Sequence, residues 1–285
     1  MTSEALLSKL HAATKDAPEV TYSVNRMGYT IDGKLYRRVT SMLGGGIPKP
    51  ALVGWGIKAT SEYAWEHREV WSKLNKTDAI KLLKGSPYSQ RDDAAARGTA
   101  VHKTLEALIG NTPMPQDLTE DEQACADAAA DFLAQRDSMH LGTEITVFND
   151  SIGYAGTLDL WEINEGTTWI LDYKTSKSGV FPDMAIQQVA YQRAEFALVN
   201  ARSIPGGKSV AKVIPWSVEC CERLGIVHVT PDGATLHPIK NPDSLVPILE
   251  SAARISQWLA DTNSYRKTPR ERVYDEPITL QGVER

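Results

Sequence analysis

The chain has 285 residues, 42% hydrophobic and 24% charged, enough for one large or two modest globular domains, and its composition excludes disorder, collagen and coiled-coil arrays. No stretch approaches the roughly 20 apolar residues needed to cross a bilayer. The opening MTSEALLSKLHAATKDAPE lacks the basic start and apolar run of a signal peptide, so a cytoplasmic protein without a membrane partner is expected. With a net charge of −5, any nucleic-acid partner must be attracted by a local basic surface or by bound cations. Cys125, Cys220 and Cys221 are too few and too poorly spaced for a disulfide framework or a four-thiolate site.

Residues 20–43 read as a hairpin, TYSVNRMGYTI and KLYRRVTSML around a turn at Asp32-Gly33-Lys34. A glycine turn at Gly44-Gly45-Gly46 comes next. The pattern from Ala51 to about Gly110 is helical, with breaks expected near Asn75 and at Gly85-Ser86-Pro87. Asn111–Pro115 reads as a linker. Thr119 with Glu122 makes a capping-box start for a helix to about Met139. The period then changes to two, predicting strands at 143–149, 153–163, 167–175, 209–218 and 223–230, with helices at about 182–199 and 243–261. The expectation is an α/β fold, a mixed central sheet flanked by helices. Its divisions are an N-terminal hairpin and helical lobe (1–96), a core (97–262) and a C-terminal arm (263–285) carrying Arg266, Lys267, Arg270 and Arg272.

The most informative stretch is 153–174, two strand-like runs around Glu165-Gly166. If those two residues form the loop, Asn164 pairs with Thr167 and Asp159 falls opposite Asp172. Alternation puts Lys174 on the same face, with Leu158, Leu160, Leu171 and Tyr173 on the other as a core face. Two carboxylates about 5 Å apart repel by roughly 3 kcal/mol at an effective dielectric near 20. The pair is open to two readings: a solvated hairpin face on which the acids diverge, or a site where Lys174 and a hard divalent cation offset the repulsion.

Four motifs occur in order: Gly98-x-x-x-His102, Gly156-Thr-Leu-Asp159, Asp172-Tyr-Lys174 and Gln187-x-x-x-Tyr191. Together, over about residues 97–192, they resemble the RecB-like (QxxxY) branch of the PD-(D/E)XK nucleases, phage-type members included. The resemblance implies a restriction-endonuclease-like core and a Mg²⁺- or Mn²⁺-dependent DNA exonuclease leaving 5′-phosphates. It further implies that Asp159, Asp172, the Tyr173 carbonyl and His102 ligate one or two ions, and that Lys174 orients or helps deprotonate the attacking water. Gln187 and Tyr191 would shape the DNA groove and Lys177 would touch phosphate. Glu144, where relatives often carry an acid, and Glu106, beside His102, are second-tier candidates. The iron–sulfur cluster of some relatives is not expected, because four cysteines are lacking.

Each residue also has a plainer reading: a surface or core histidine at His102, a helix's polar boundary at Gln187 and Tyr191, a solvated lysine at Lys177. Lys34, Arg37, Arg38 and the tail arginines could supply a positive surface. Pro205-Gly-Gly-Lys-Ser209 lacks the first glycine of a phosphate loop, and His228 and His237 lie too far from Cys220 and Cys221 for a zinc finger. Open alternatives are a structure-specific endonuclease, a non-catalytic DNA-binding protein retaining the nuclease fold, and an enzyme acting on RNA or a small phosphate ester. With no motor of its own, such a nuclease works alone, as a homo-oligomeric ring, or beside a recombination or replication protein, in the host cytoplasm if phage-encoded.

Overall fold

Apolar residues at helical spacing fill most of the first 136 positions, and period-two runs fill most of the remainder. The computed structural model describes residues 3–262, excepting the side chains of 3–4, 88–94 and 262; the expected C-terminal arm lies outside them. The order is α1 (Ser3–Lys15), β1 (Glu19–Asn25), β2 (Gly28–Ile31), β3 (Lys34–Arg38), α2 (Val39–Gly46), α3 (Pro50–Glu66), α4 (Arg68–Trp71), α5 (Lys76–Gly110) and α6 (Glu120–Arg136). Then come β4 (Met139–Asn149), β5 (Tyr154–Asn164), β6 (Thr167–Lys174), α7 (Pro182–Gln192), β7 (Phe196–Ile204), β8 (Lys208–Pro215), β9 (Arg223–Thr230), β10 (Gly233–Pro238) and α8 (Val246–Thr262). This is the expected α/β architecture, a large mixed sheet flanked by helices with helices at the N-terminus. Among the described residues no helix is long and apolar enough to cross a membrane.

The sheet has two parts sharing β5. On one side β5–β6 is a hairpin, β6 runs parallel to β9, and β10 pairs antiparallel with β9. On the other, β4–β5–β3–β2–β1–β8–β7 closes on itself through the β7–β4 pairing, a ring of seven strands. Tyr29, Ile31, Tyr36, Phe148, Ala155, Leu198 and Ala211 pack together within these strands. Segment 19–38 is thus hydrogen-bonded into the same sheet as the 97–262 core. One larger core lies between the sheet and α2, α7 and α8; another lies beneath α5 and α6.

Several expected elements come out differently, for local physical reasons. The first run of the 20–43 hairpin splits in two, because Asn25 Oδ1 accepts from Met27 N at 2.8 Å and Gly28 takes φ 153° with its α-carbon against Tyr36 O. The second run ends at Arg38. Val39, Met42, Leu43 and Gly46 are buried at helical spacing in α2, so the glycines form a helix face instead of a turn. A Cβ on Gly46 would lie 2.1 Å from Ala252 O, and one on Gly45 2.7 Å from Ser256 Oγ, which is how closely α2 approaches α8.

No break occurs at Gly85-Ser86-Pro87. Pro87 cannot donate to the Leu83 carbonyl, four residues back, but Ser86 Oγ donates to that oxygen at 2.9 Å and α5 continues to Gly110. The expected helix at 182–199 stops at Gln192, because Phe196–Leu198 pair with Thr146–Phe148 of β4; a short apolar run fits either state until a partner strand decides. Strand β10 has no counterpart among the expected elements. The helix beginning at Thr119 does carry both bonds of its capping box and ends at Arg136. Asn75 caps α5.

A buried ion pair ties α6 to the β5–β6 hairpin: Arg136 Nε bonds Glu162, which is fully buried, and the guanidinium lies 4.8 Å from the Trp169 ring. Replacing Arg136 by Ala strands the Glu162 charge, and the expected loss is about 3–5 kcal/mol of unfolding free energy in denaturant titration.

Candidate functional site

The β5–β6 turn sets the register of the site. Glu165 and Gly166 take φ 49° and 76°, the two left-handed residues of a tight hairpin turn, and Asn164 pairs with Thr167 as expected. The ladder runs to Leu160↔Leu171 and opens there. In that register Asp159 faces Asp172, and instead of continuing the ladder Asp159 Oδ2 accepts from Tyr173 N at 2.8 Å. Leu160, Leu171 and Tyr173 form the expected face, packed beneath α5 and α6. Leu158 departs from it and joins the opposite core with Ile145. In the neighbouring β4–β5 ladder the register sets Glu144 across from Asp159, and Glu144 has left-handed backbone, φ 49°.

Helix α5 closes the site. Ala95, Gly98, Thr99, His102, Lys103 and Glu106 recur at helical spacing on one of its faces and, with Glu144 and Asp159, line a cleft of about 480 Å³. His102 Nδ1 lies 3.5 Å from Glu144 Oε1 and 3.7 Å from Asp159 Oδ2. Ligand atoms of His102, Glu144 and Asp159 all fall within 4.8 Å of one another, a spacing one cation could span. Asp172 lies outside that trio. It is buried, ion-paired to Lys174 Nζ through Oδ2, and its Oδ1 accepts from Gln187 Nε2 at 3.3 Å. Gln187 Nε2 also donates to Tyr191 Oη at 2.7 Å. Tyr191 is only 3% exposed and Gln187 is half-buried, and through Gln187 the pair braces Asp172.

The electrostatics derive from these contacts. Burial, reinforced by the Asp172 charge, raises the Asp159 pKa to about 7 against the opposing pull of His102, Lys174 and the Tyr173 N–H. Burial would lower the pKa of His102, but the Glu144 hydrogen bond and the charges of Asp159, Glu144 and Asp172 raise it to about 9. For Lys174, burial is outweighed by the Asp172 and Asp159 charges, so its pKa also rises. Burial and the Glu144 charge raise Glu106. The site is an acidic cluster with Lys174 and His102 as its counter-charge.

The other expected residues spread out. Lys177 is exposed, 4.0 Å from Asp121. Lys34 pairs with Asp150 at 2.6 Å, Arg37 reaches Ser256 Oγ and Ala253 O, and Arg38 donates to Asn25 O. Cys125 is buried in one core and Cys220 and Cys221 in the other. Sequence reasoning misses Lys103, which follows His102 directly in the chain and lines the same cleft. The part played by Gly156 is also hidden in the sequence: a Cβ there would stand 2.4 Å from the Tyr191 ring and 3.2 Å from Val39 Cγ2. The glycine of one motif makes room for the tyrosine of another.

No protein-family model matches the chain, and no curated protein matches it. Its own site carries the functional reading.

Gly156→Ala forces Tyr191 away from its seat and should destabilise the protein by about 1–3 kcal/mol, seen as a lowered Tm. A second outcome concerns pH. Between pH 6.5 and about 9 the folded, metal-free chain keeps on His102 a proton that the unfolded chain has released. That stabilisation is full below pH 6.5 and is lost as pH rises through 9. In chelator, Tm should fall across this window, and His102→Asn should flatten the fall.

Proposed function

We propose that the protein is a metal-dependent DNA nuclease, an exonuclease that hydrolyses phosphodiester bonds to 5′-phosphate and 3′-hydroxyl products. The observation that carries this reading is the convergence of His102, Glu144 and Asp159 in one cleft, backed by the Asp172–Lys174 ion pair. The four motifs that resemble those of the RecB-like PD-(D/E)XK nucleases supply all of these side chains save Glu144, and the exonuclease preference rests on that likeness.

Hard carboxylate oxygens with one imidazole suit Mg²⁺ or Mn²⁺, and a buried carboxylate such as Asp159, facing the Asp172 charge, gains from a cation. Asp159, Glu144 and His102 would hold it, with Asp172 beside them where the ladder opens. When bound, such an ion supplies charge neutralisation at the phosphoryl oxygens and activation of water. The chain's own groups do the positioning. Tyr173 N–H fixes the direction of the Asp159 carboxylate. Gln187, itself set by Tyr191, fixes that of Asp172. Lys174, its pKa raised beside Asp172 and Asp159, would orient the attacking water and meet the phosphoryl charge with a positive Nζ. DNA is the partner; action as a ring of copies, or beside a recombination or replication protein of a phage or its host, fits a nuclease without a motor.

The test is incubation with end-labelled linear and closed circular DNA in Mg²⁺, Mn²⁺ or chelator. Loss of linear DNA alone, only with metal, is the expected result. Cutting of circles would make it an endonuclease, and inertness throughout would make it a binding protein. Lys174→Ala should keep its circular dichroism spectrum and lose about 10²–10³-fold in rate; undiminished cleavage would remove Lys174 from the mechanism.

A further inference from the structure

Helix α3 is poorly covered. Only Ala59 is buried among its 17 residues, while Leu52, Val53 and Ile57 are 58–66% exposed and Trp65 82%. Leu52, Val53, Trp55, Ile57, Lys84 and Pro87 line a groove of about 580 Å³ between α3 and α5. An apolar face of this kind marks a contact surface, and its electrostatic setting narrows the partner. Residues 49–87 carry seven Lys or Arg against four Asp or Glu within a chain of −5; Lys49 is paired with Asp183 and Lys58 lies 3.6 Å from Glu62, and the remaining excess is positive. Lys58, Lys73, Lys76, Lys81 and Lys84 are all exposed.

We propose that this groove binds single-stranded DNA and leads it along α5 to the cleft, a step that rests on the nuclease reading of the site. Exposed indole rings near lysines are what single strands require, because the rings stack on bare bases while the ammonium groups meet the phosphates; Trp55 and Lys84 line the groove together, and Trp65 lies further along α3 with Glu62, Glu66 and Glu69 near it in sequence. A duplex keeps its base faces stacked and offers the rings nothing. A second copy docking this same face against itself would oppose positive charge to positive charge. One helix joins the two sites: α5 carries Lys84 in the groove and His102 in the cleft, about 27 Å apart at 1.5 Å per residue. Lys103 lines the cleft beside His102.

The test separates binding from turnover. The Lys174→Ala protein in chelator is titrated against fluorescein-labelled oligo(dT) and against a duplex of equal length at two salt concentrations, with anisotropy and tryptophan quenching as readouts. The single strand should bind more tightly and quench the tryptophans. Trp55→Ala/Trp65→Ala should weaken it about tenfold or more. Lys58→Glu/Lys84→Glu should weaken it and flatten its salt dependence. Trp65→Ala alone, at the most exposed position, guards against misfolding and should show part of the loss. Unchanged affinity in both the tryptophan and lysine variants overturns the proposal, as does equal binding of duplex and single strand. Sedimentation in which the tryptophan variant turns an oligomer into monomers, with oligo(dT) binding intact, assigns the face to a second copy and also overturns it. Cleavage by the native chain is measured separately, so a nuclease that fails this binding test remains a nuclease, and an inert protein that passes it remains a single-strand binder.

Discussion

Mutual repulsion among carboxylates is the constraint around which the site is arranged. Asp159 and Asp172 face each other where a hairpin ladder opens, and Glu144 adds a third negative group across the next ladder. The two aspartates are largely buried and Glu144 is exposed at the rim, and such a cluster persists only with counter-charge and hydrogen bonds. Lys174 and His102 provide the first, while Tyr173 N–H and Gln187 provide the second. The departures from regular structure nearby serve this arrangement. Asp159 leaves its strand partner to take the Tyr173 amide, and Glu144 adopts a left-handed backbone that any non-glycine residue pays for in strain.

The surrounding fold makes the cluster a cleft instead of a surface patch. Helix α5 crosses the open end of the hairpin, anchored by Val101 and Leu105 in the core beneath it, and so presents His102 and Lys103 toward the strands. On the opposite side α7 is fixed by side-chain bonds to the main chain: Tyr154 Oη to Ala190 O, Trp216 Nε1 to Tyr191 O, and Gln192 Nε2 to Cys221 O. That rigidity transmits to Gln187, and through it to Asp172. The closed ring of seven strands holds β4 and β5 in place from behind, which is what allows a strained Glu144 to stay aimed at His102.

Much of this is legible in the residues. The tight Glu165-Gly166 turn, the opposition of two aspartates, the lysine two positions on and the capping box at Thr119 are consequences of local backbone preferences and period-two alternation. Other features are not. Serine rescue of the carbonyl orphaned at Pro87 looks, in sequence, like a helix break, and Phe196–Val199 looks like the end of a helix because nothing local reveals the partner strand β4. The glycines of α2 suggest a turn until α8 is seen lying against them.

The order of the chemistry-bearing residues, their charges and the pairing of β5 with β6 were therefore set by the sequence alone, since each depends on neighbours within a few positions. The convergence of α5, β4 and β5 on one cleft, the burial that raises Asp159 and the charges that keep His102 protonated were decided only in three dimensions. Long-range strand pairing brings Glu144 to Asp159 and packing brings His102 to both, and desolvation, the force that makes such neighbours matter, exists only once the chain has excluded water.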